Sequence, residues 1–116
     1  MEQLNKIELR GSIGSIRLQT YNDNPVAHFT LATDYVYKDK DGVPVIETTW
    51  HNVTAWEGRD IQKLDELEKG SKVYVLGRVR NQRFTGSDGI DRTSNEVVAR
   101  RVVKLDQEQP LSREMI

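Results

Sequence analysis

The sequence predicts an all-β protein of one domain, a small closed barrel of five strands with one short α-helix between the third and fourth strands. Five segments alternate apolar and polar residues with the period of two that is typical of half-buried strands, and turn-forming residues separate them. One segment has the longer period of an amphipathic helix. At 116 residues the chain is long enough for a single domain with its own core.

The first strand is predicted over 5–18. Ile7 and Leu9 face one side of it, and the charged residues between them face the other. Gly11 and Gly14 lie inside the segment. Glycines inside a strand indicate the bulges or bends that curl a sheet into a barrel.

The second and third strands form the next hairpin. Turn-forming residues over 21–25 precede a strand predicted over 26–37, which is rich in β-branched and aromatic residues. The polar, glycine-containing segment 38–42 is the expected hairpin tip, and the third strand is predicted over 45–56.

The period changes after the third strand. Over 58–68 the apolar residues Ile61, Leu64 and Leu67 are spaced by three, with charged residues between them. This spacing predicts a short amphipathic α-helix with one buried side, and Gly70 is its expected C-terminal cap.

Two further strands complete the predicted sheet, over 72–84 and 91–105, with a glycine-containing turn between them. Five strands with a helix between the third and fourth are the layout of the OB-fold, a Greek-key barrel that binds oligonucleotides and oligosaccharides. We therefore expect residues 1–105 to form an OB-fold domain. Residues 106–116 are polar and interrupted by proline, so we expect a short flexible C-terminal tail.

The composition excludes several classes of protein. Without cysteine the chain can form neither a disulfide nor a thiolate metal site. No apolar run is long enough to cross a bilayer, and the sequence shows no secretory signal, so we expect a cytoplasmic protein. His28 has no partner at metal-ligand spacing, and no nucleophile–base pair or carboxylate cluster is evident. We expect no metal, no cofactor and no enzymatic activity.

Both tryptophans lie in the third strand, six residues apart. Residues of equal parity share one face of a strand, so Trp50 and Trp56 point the same way as the polar residues Asn52 and Thr54. Indoles exposed among polar groups are suited to stacking on unpaired nucleic-acid bases. This segment alone equally allows two tryptophans that belong to the core.

Two other aromatic residues are expected at the ends of hairpin arms, Tyr37 on the second strand and Phe84 on the fourth. An arm that projects beyond the barrel has no core to fill, which favours a binding role. However, Tyr37 shares its parity with Phe29 and Leu31, which are expected in the core. A bulge or a twist of the arm must therefore reorient Tyr37.

Charge is segregated along the chain, although the formal net charge is only −1. Arg78 and Arg80 have equal parity and point the same way, which favours a track of phosphate contacts over a merely solvated surface. Stacking and phosphate contacts together predict binding of a single strand with little sequence preference. The segment 69–87 holds five basic residues and no acidic one: Lys69, Lys72, Arg78, Arg80 and Arg83.

Several motifs follow one another in a specific order between residues 5 and 105. They are Asn5-Lys6-Ile7 followed by Gly11 and Gly14, then Phe29-Thr30-Leu31-Ala32-Thr33, Thr49-Trp50-His51, Leu67-Glu68-Lys69-Gly70-Ser71-Lys72-Val73-Tyr74-Val75 with Gly77, and Asp91-Arg92-Thr93 with Glu96-Val97-Val98. As an ordered set they resemble the bacterial single-stranded DNA-binding proteins, a family with the OB-fold.

The resemblance implies binding residues, assembly and a cellular role. Family members assemble as homo-oligomers, usually homotetramers, and wrap and protect single-stranded DNA of the nucleoid during replication, recombination and repair. The charge pattern adds Arg78 to the expected phosphate contacts. Arg59 is a further candidate, because it lies beside Gly58, at whose position a lysine is common in the family. The resemblance assigns stacking to Trp50, Trp56, Tyr37 and Phe84, and phosphate contacts to Lys6, Lys69, Arg80 and Arg83.

The carboxyl-terminal residues depart from the family pattern. The family usually ends in a long linker and an acidic tip that recruits replication and repair proteins. Here Met115-Ile116 after Glu114 are only a faint echo of such a tip. The resemblance therefore does not carry over the recruitment of partner proteins.

Two other functions fit the same fold. One is an OB-fold accessory module, primosomal or RNA-binding, and the other is an adaptor that uses the barrel only for protein contacts.

Overall fold

The computed structural model describes residues 2–61 and 63–105, in which five strands close into a barrel. The order around the barrel is β1-β2-β3-β5-β4, and β4 pairs with β1 to close it. Neighbouring strands are antiparallel except β3 and β5, which are parallel. The predicted barrel is confirmed, and the predicted tail, 106–116, lies outside the described residues. The strands are β1 (Ile7–Tyr21), β2 (Asn24–Lys38), β3 (Pro44–Trp56), β4 (Lys72–Thr85) and β5 (Asp91–Lys104).

The first hairpin is longer and tighter than the sequence predicts. β1 continues past Leu18 to Tyr21, which pairs with Asn24. Only Asn22 and Asp23 remain for the turn, and both have positive φ angles, 50° and 67°. Positive φ at both central residues is typical of the type I′ turn, which matches the twist of paired strands. The pairing therefore continues to the end of the hairpin.

A bulge in β1 lies where the glycines predict it. The register of the β1–β2 pairing shifts between Ile13 and Ile16. A Cβ atom on Gly11 would lie 2.1 Å from the backbone oxygen of Ala32, so the two strands approach each other more closely than a side chain allows. The glycines thus let the sheet curl.

The core lies inside the barrel and is apolar. Buried residues of one parity from each strand fill it, as the alternating pattern predicts. They are Ile13, Ala27, Phe29, Leu31, Val53, Ala55, Val73, Val75 and Val97.

The predicted α-helix over 58–68 is wrong in type and length. Among the described residues of the connection between β3 and β4, the helix is limited to one 3₁₀ turn, Leu64–Glu66. Lys63 precedes it in a left-handed conformation, with φ of 57°, which interrupts any continuous α-helix. No helix among the described residues is long and apolar enough to span a membrane. A spacing of three fits the 3₁₀ period, and the three apolar side chains pack on the core as predicted: Ile61, Leu64 and Leu67.

Candidate nucleic-acid interface

Two tryptophans stand on the outer surface of the barrel. Trp50 and Trp56 are 59% and 43% exposed. Val53 and Ala55 have the opposite parity and are buried. The alternation along β3 therefore points both indoles away from the core, and the alternative that they belong to it is wrong.

The fourth strand brings arginines and a phenylalanine to the same surface. Val73 and Val75 of β4 are buried, so residues of the other parity point outward. These are Arg78, Arg80 and Phe84, and all three are exposed. We call the surface formed by the outward residues of β3, β5 and β4 the outer face.

The indole of Trp50 lies over the bulge in β1. A Cβ atom on Gly14 would be 2.4 Å from Cζ3 and 2.8 Å from Cη2 of the ring. The backbone N–H of Ser15, next in the chain, donates to the hydroxyl of Thr30 at 3.0 Å and fixes the bulge. Gly14 therefore leaves the space that this position of the indole needs.

Trp56 has an aromatic neighbour that the sequence alone did not reveal. Tyr21 is 54% exposed, and its ring centroid lies 6.0 Å from that of Trp56, with the planes inclined at 51°. The sequence predicts a turn over 21–25, but an aromatic residue directly before Asn22-Asp23 is a signal for the end of a tight hairpin. Arg17 is also exposed on the outward side of β1, where it pairs with His28.

A hydrogen-bonded network crosses the outer face. Thr54 donates to Oε2 of Glu96 at 2.9 Å, and Arg80 donates to Oε1 of the same carboxylate. Because the proton of the Thr54 hydroxyl is used in this way, Nδ1 of His28, 3.3 Å from that oxygen, must be the donor to it. The network joins β2, β3, β5 and β4 and holds Arg80 in an ion pair with the buried Glu96.

Tyr37 does not lie on the outer face. The β2–β3 register has no shift along its length, so the bulge expected to reorient Tyr37 is absent. Tyr37 keeps the parity of Leu31 and lies on the opposite side of the β2–β3 arm from Trp50. There its ring stacks on that of Tyr35, with the centroids 6.0 Å apart and the planes inclined at 29°.

Two of the predicted phosphate contacts lie on the β4 side of the barrel. Lys6, just before β1, is 3.9 Å from the carboxylate of Glu8 and lines a groove together with Arg78. Arg83 has the parity opposite to that of Phe84, so it points to the other side of the β4–β5 arm.

The last two predicted phosphate contacts lie in the connection between β3 and β4. Arg59 lines a groove with Lys63 and Arg101, and Lys69 is exposed in the turn before β4. The structure therefore brings Arg78 and Arg80 together with the tryptophans, but not Arg59, Lys69 or Arg83.

The tip of the β4–β5 arm is closed by a carboxylate. The backbone N–H of Ile90 donates to Asp88 at 3.1 Å, and Arg92 donates to it at 2.6 Å. These two bonds hold the pKa of Asp88 below its usual value.

No group of three or more His, Asp or Glu residues that could hold a metal ion occurs in the described part of the chain.

Known proteins share the sequence pattern and the barrel of this chain. The sequence profile of the single-strand binding protein family matches residues 4–105. The chain belongs to this family. A single-stranded DNA-binding protein of Neisseria meningitidis (serogroup A) is 37% identical over 103 residues, which cover 83% of this chain and 56% of that protein. Single-stranded DNA-binding protein 1 of Xylella fastidiosa is 33% identical over 113 residues, which cover 94% of this chain and 82% of that protein.

The chain thus spans about half the length of the Neisseria relative.

Solved structures of family members share the barrel. An SSB complex with ssDNA from Plasmodium falciparum superposes with a TM-score of 0.78 at 26% identity, covering 91% of this chain and 98% of that one. A Thermus aquaticus single-stranded DNA binding protein gives 0.75 at 23% identity, covering 90% and 51%. These likenesses confirm the OB-fold.

Proposed function

We propose that the chain binds single-stranded DNA through its outer face, with little preference for sequence. The observation that carries the proposal is the display of two exposed indoles, Trp50 and Trp56, on the same surface as Arg78 and Phe84. Each base stacked on an aromatic ring contributes roughly 1–3 kcal/mol, with little dependence on the base. Family membership and the single-stranded DNA in the Plasmodium complex support this ligand.

Phosphate contacts supply the second part of the affinity. Arg78 lies on the outer face, Arg17 lies beside it on β1 and Lys6 lies at its β4 edge. Arg80 is held by Glu96 and contributes only when a phosphate displaces that carboxylate. Three contacts to a single strand give a log–log salt slope of about −2. A slope near −3.5 corresponds to about five contacts and means that the strand also reaches cations beyond the outer face.

A strand that passes around the arms would reach the other predicted residues. The opposite sides of the two arms carry a tyrosine and an arginine, and the β3–β4 connection carries two cations. We propose these as secondary contacts of a wrapped strand: Tyr37, Arg83, Arg59 and Lys69.

The proposed role of the chain is non-catalytic protection of DNA during replication, recombination and repair in a bacterial cytoplasm, as a homotetramer. Exposed apolar side chains on both sides of the β2–β3 arm support assembly, because a monomer rarely leaves such a surface uncovered. Light scattering tests the assembly, and we expect a mass several times that of one chain, which is 13.3 kDa. These side chains are Tyr35 (67% exposed), Val36 (62%) and Ile46 (67%).

Fluorescence titration with oligo-dT tests the binding proposal directly. Stacking on Trp50 and Trp56 should quench the indole emission. A Trp50→Ala/Trp56→Ala variant, monitored by anisotropy of a labelled strand, should lose at least about tenfold in affinity, since two stacking platforms are removed.

A matched control separates stacking from general loss of apolar surface. Leu18→Ala removes an apolar side chain of β1 that is 49% exposed and has the core-facing parity, and its affinity should not change. Equal affinities of the folded double variant and the Leu18→Ala control would contradict the proposal and favour the protein adaptor.

A further inference from the structure

A polar groove separates the two tryptophans on the outer face. The two tryptophans are six positions apart in β3, which places their Cα atoms about 20 Å apart. The groove has a volume of about 350 Å³, within the range of pockets that hold small molecules. Polar side chains from β1, β2, β3 and β5 line it: Arg17, His28, Thr30, Asn52, Thr54 and Glu96.

Glu96 sets the chemistry of this groove. It is only 8% exposed, and its two oxygens accept hydrogen bonds from Thr54 and Arg80. A carboxylate has about four acceptor positions, so about two remain for a ligand. In its ion pair with Arg80, the carboxylate acts only as an acceptor.

A strand that stacks on Trp50 and Trp56 must carry the nucleotides between them across this groove. The edge of a base turned toward β3 would then meet the free acceptor positions of Glu96. Cytosine presents its N4 amino group as a donor, and carboxylates accept from that group. Thymine presents the carbonyl oxygen O4 at the corresponding position, which a carboxylate repels.

We infer that the groove between Trp50 and Trp56 receives the edge of an unpaired base and that Glu96 makes it favour cytosine over thymine. The inference rests on the proposed binding of single-stranded DNA. It adds a modest base preference at one site to stacking that is otherwise tolerant of sequence.

The test compares the affinities for oligo-dC and oligo-dT of equal length, at matched salt and mildly alkaline pH, with Glu96→Gln. Glutamine has nearly the same shape, but it replaces one of the two acceptor oxygens by an amide nitrogen, which can donate to thymine O4 and cannot accept from cytosine N4. The dC/dT affinity ratio should fall about 3- to 10-fold. Release of Arg80 in this variant acts on phosphates, which every sequence has, and therefore cancels in the ratio.

Two controls keep the test decisive. Arg78→Gln, which removes a proposed phosphate contact and leaves the Arg80–Glu96 ion pair in place, should weaken both oligonucleotides alike and leave the ratio unchanged. The unaltered protein should lose its preference for a strand in which 2-pyrimidinone, which lacks the amino group, replaces cytosine; this control does not depend on how a variant folds.

The outcomes separate the two proposals. If neither oligonucleotide binds, the proposed function fails. If both bind, but neither Glu96→Gln nor removal of the amino group changes the ratio, binding stands and the inference about Glu96 is overturned.

Discussion

At the scale of single residues, the proposed interface depends on what surrounds each aromatic ring. Trp50 occupies its position because Gly14 has no side chain, and Trp56 is accompanied by Tyr21 at the end of a two-residue turn. Arg80 is oriented by a carboxylate that comes from another strand. A change beside a ring should therefore affect binding as strongly as a change to the ring.

Gly14→Ala should move the Trp50 indole and weaken binding of oligo-dT by about the contribution of one stacked base, roughly 1–3 kcal/mol. The added methyl group would overlap the ring, which is free to move because it is exposed. Gly58→Ala is the control, since no atom lies within 4 Å of its Cβ position. Titration of both variants checks this, and unchanged affinity of Gly14→Ala would show that the position of the indole is unimportant.

His51 should make stability depend on pH. Its Nε2 lies 2.9 Å from the hydroxyl of Thr33, and burial lowers its pKa below 6.5. The unfolded chain therefore binds the proton more readily, so this contribution is complete above about pH 6.5 and decreases on acidification toward the lowered pKa. Urea unfolding across this range should show a smaller loss for His51→Gln than for the unaltered chain. Parallel losses would contradict the assignment.

At the scale of elements, the alternation and spacing of apolar residues predict those features that depend on local interactions. Alternation predicted the five strands, and the strand ends differ mainly where the Asn22-Asp23 turn extends the pairing. The spacing of three in the β3–β4 connection predicted a buried apolar side, but the backbone that presents it is a 3₁₀ turn after a left-handed Lys63. Helix periods of 3.0 and 3.6 cannot be separated over so few residues.

Lys63→Gly should stabilise the β3–β4 connection. The left-handed conformation of Lys63 costs about 1 kcal/mol with a side chain and little with glycine, although glycine also adds entropy to the unfolded chain. We expect the free energy of unfolding to rise by up to about 1 kcal/mol in urea titrations. Asp65→Gly, inside the 3₁₀ turn and without a positive φ, should lower it. A loss in both variants would mean that the Lys63 side chain stabilises the connection.

At the scale of the whole molecule, closure of the barrel decides which predicted residues meet. Parity along each strand was enough to group Trp50 with Trp56 and Arg78 with Arg80. It could not show that β3 runs parallel to β5, nor that Thr54 would meet Glu96, 42 residues away in the chain. Such contacts depend on long-range pairing, for which the sequence carries no local signal.

The two projecting arms show a second case in which the sequence groups residues that the structure separates. The sequence groups Tyr37 with the stacking residues because it lies at the end of a projecting arm, and the charge pattern and the family resemblance group Arg83 with the phosphate contacts. Unbroken pairing keeps each of them on the opposite side of its arm. Parity was the correct guide there, and the assumption of a bulge was not.

Photocrosslinking of oligo-dT that contains iododeoxyuridine is the most direct test of the claim that the outer face binds a single strand. Bases stacked on aromatic rings should crosslink to those rings, and mass spectrometry identifies the residues. The predicted sites are Trp50, Trp56 and Phe84, with Tyr21 beside Trp56. Crosslinks confined to Tyr35 and Tyr37, which lie off the outer face, would contradict the account.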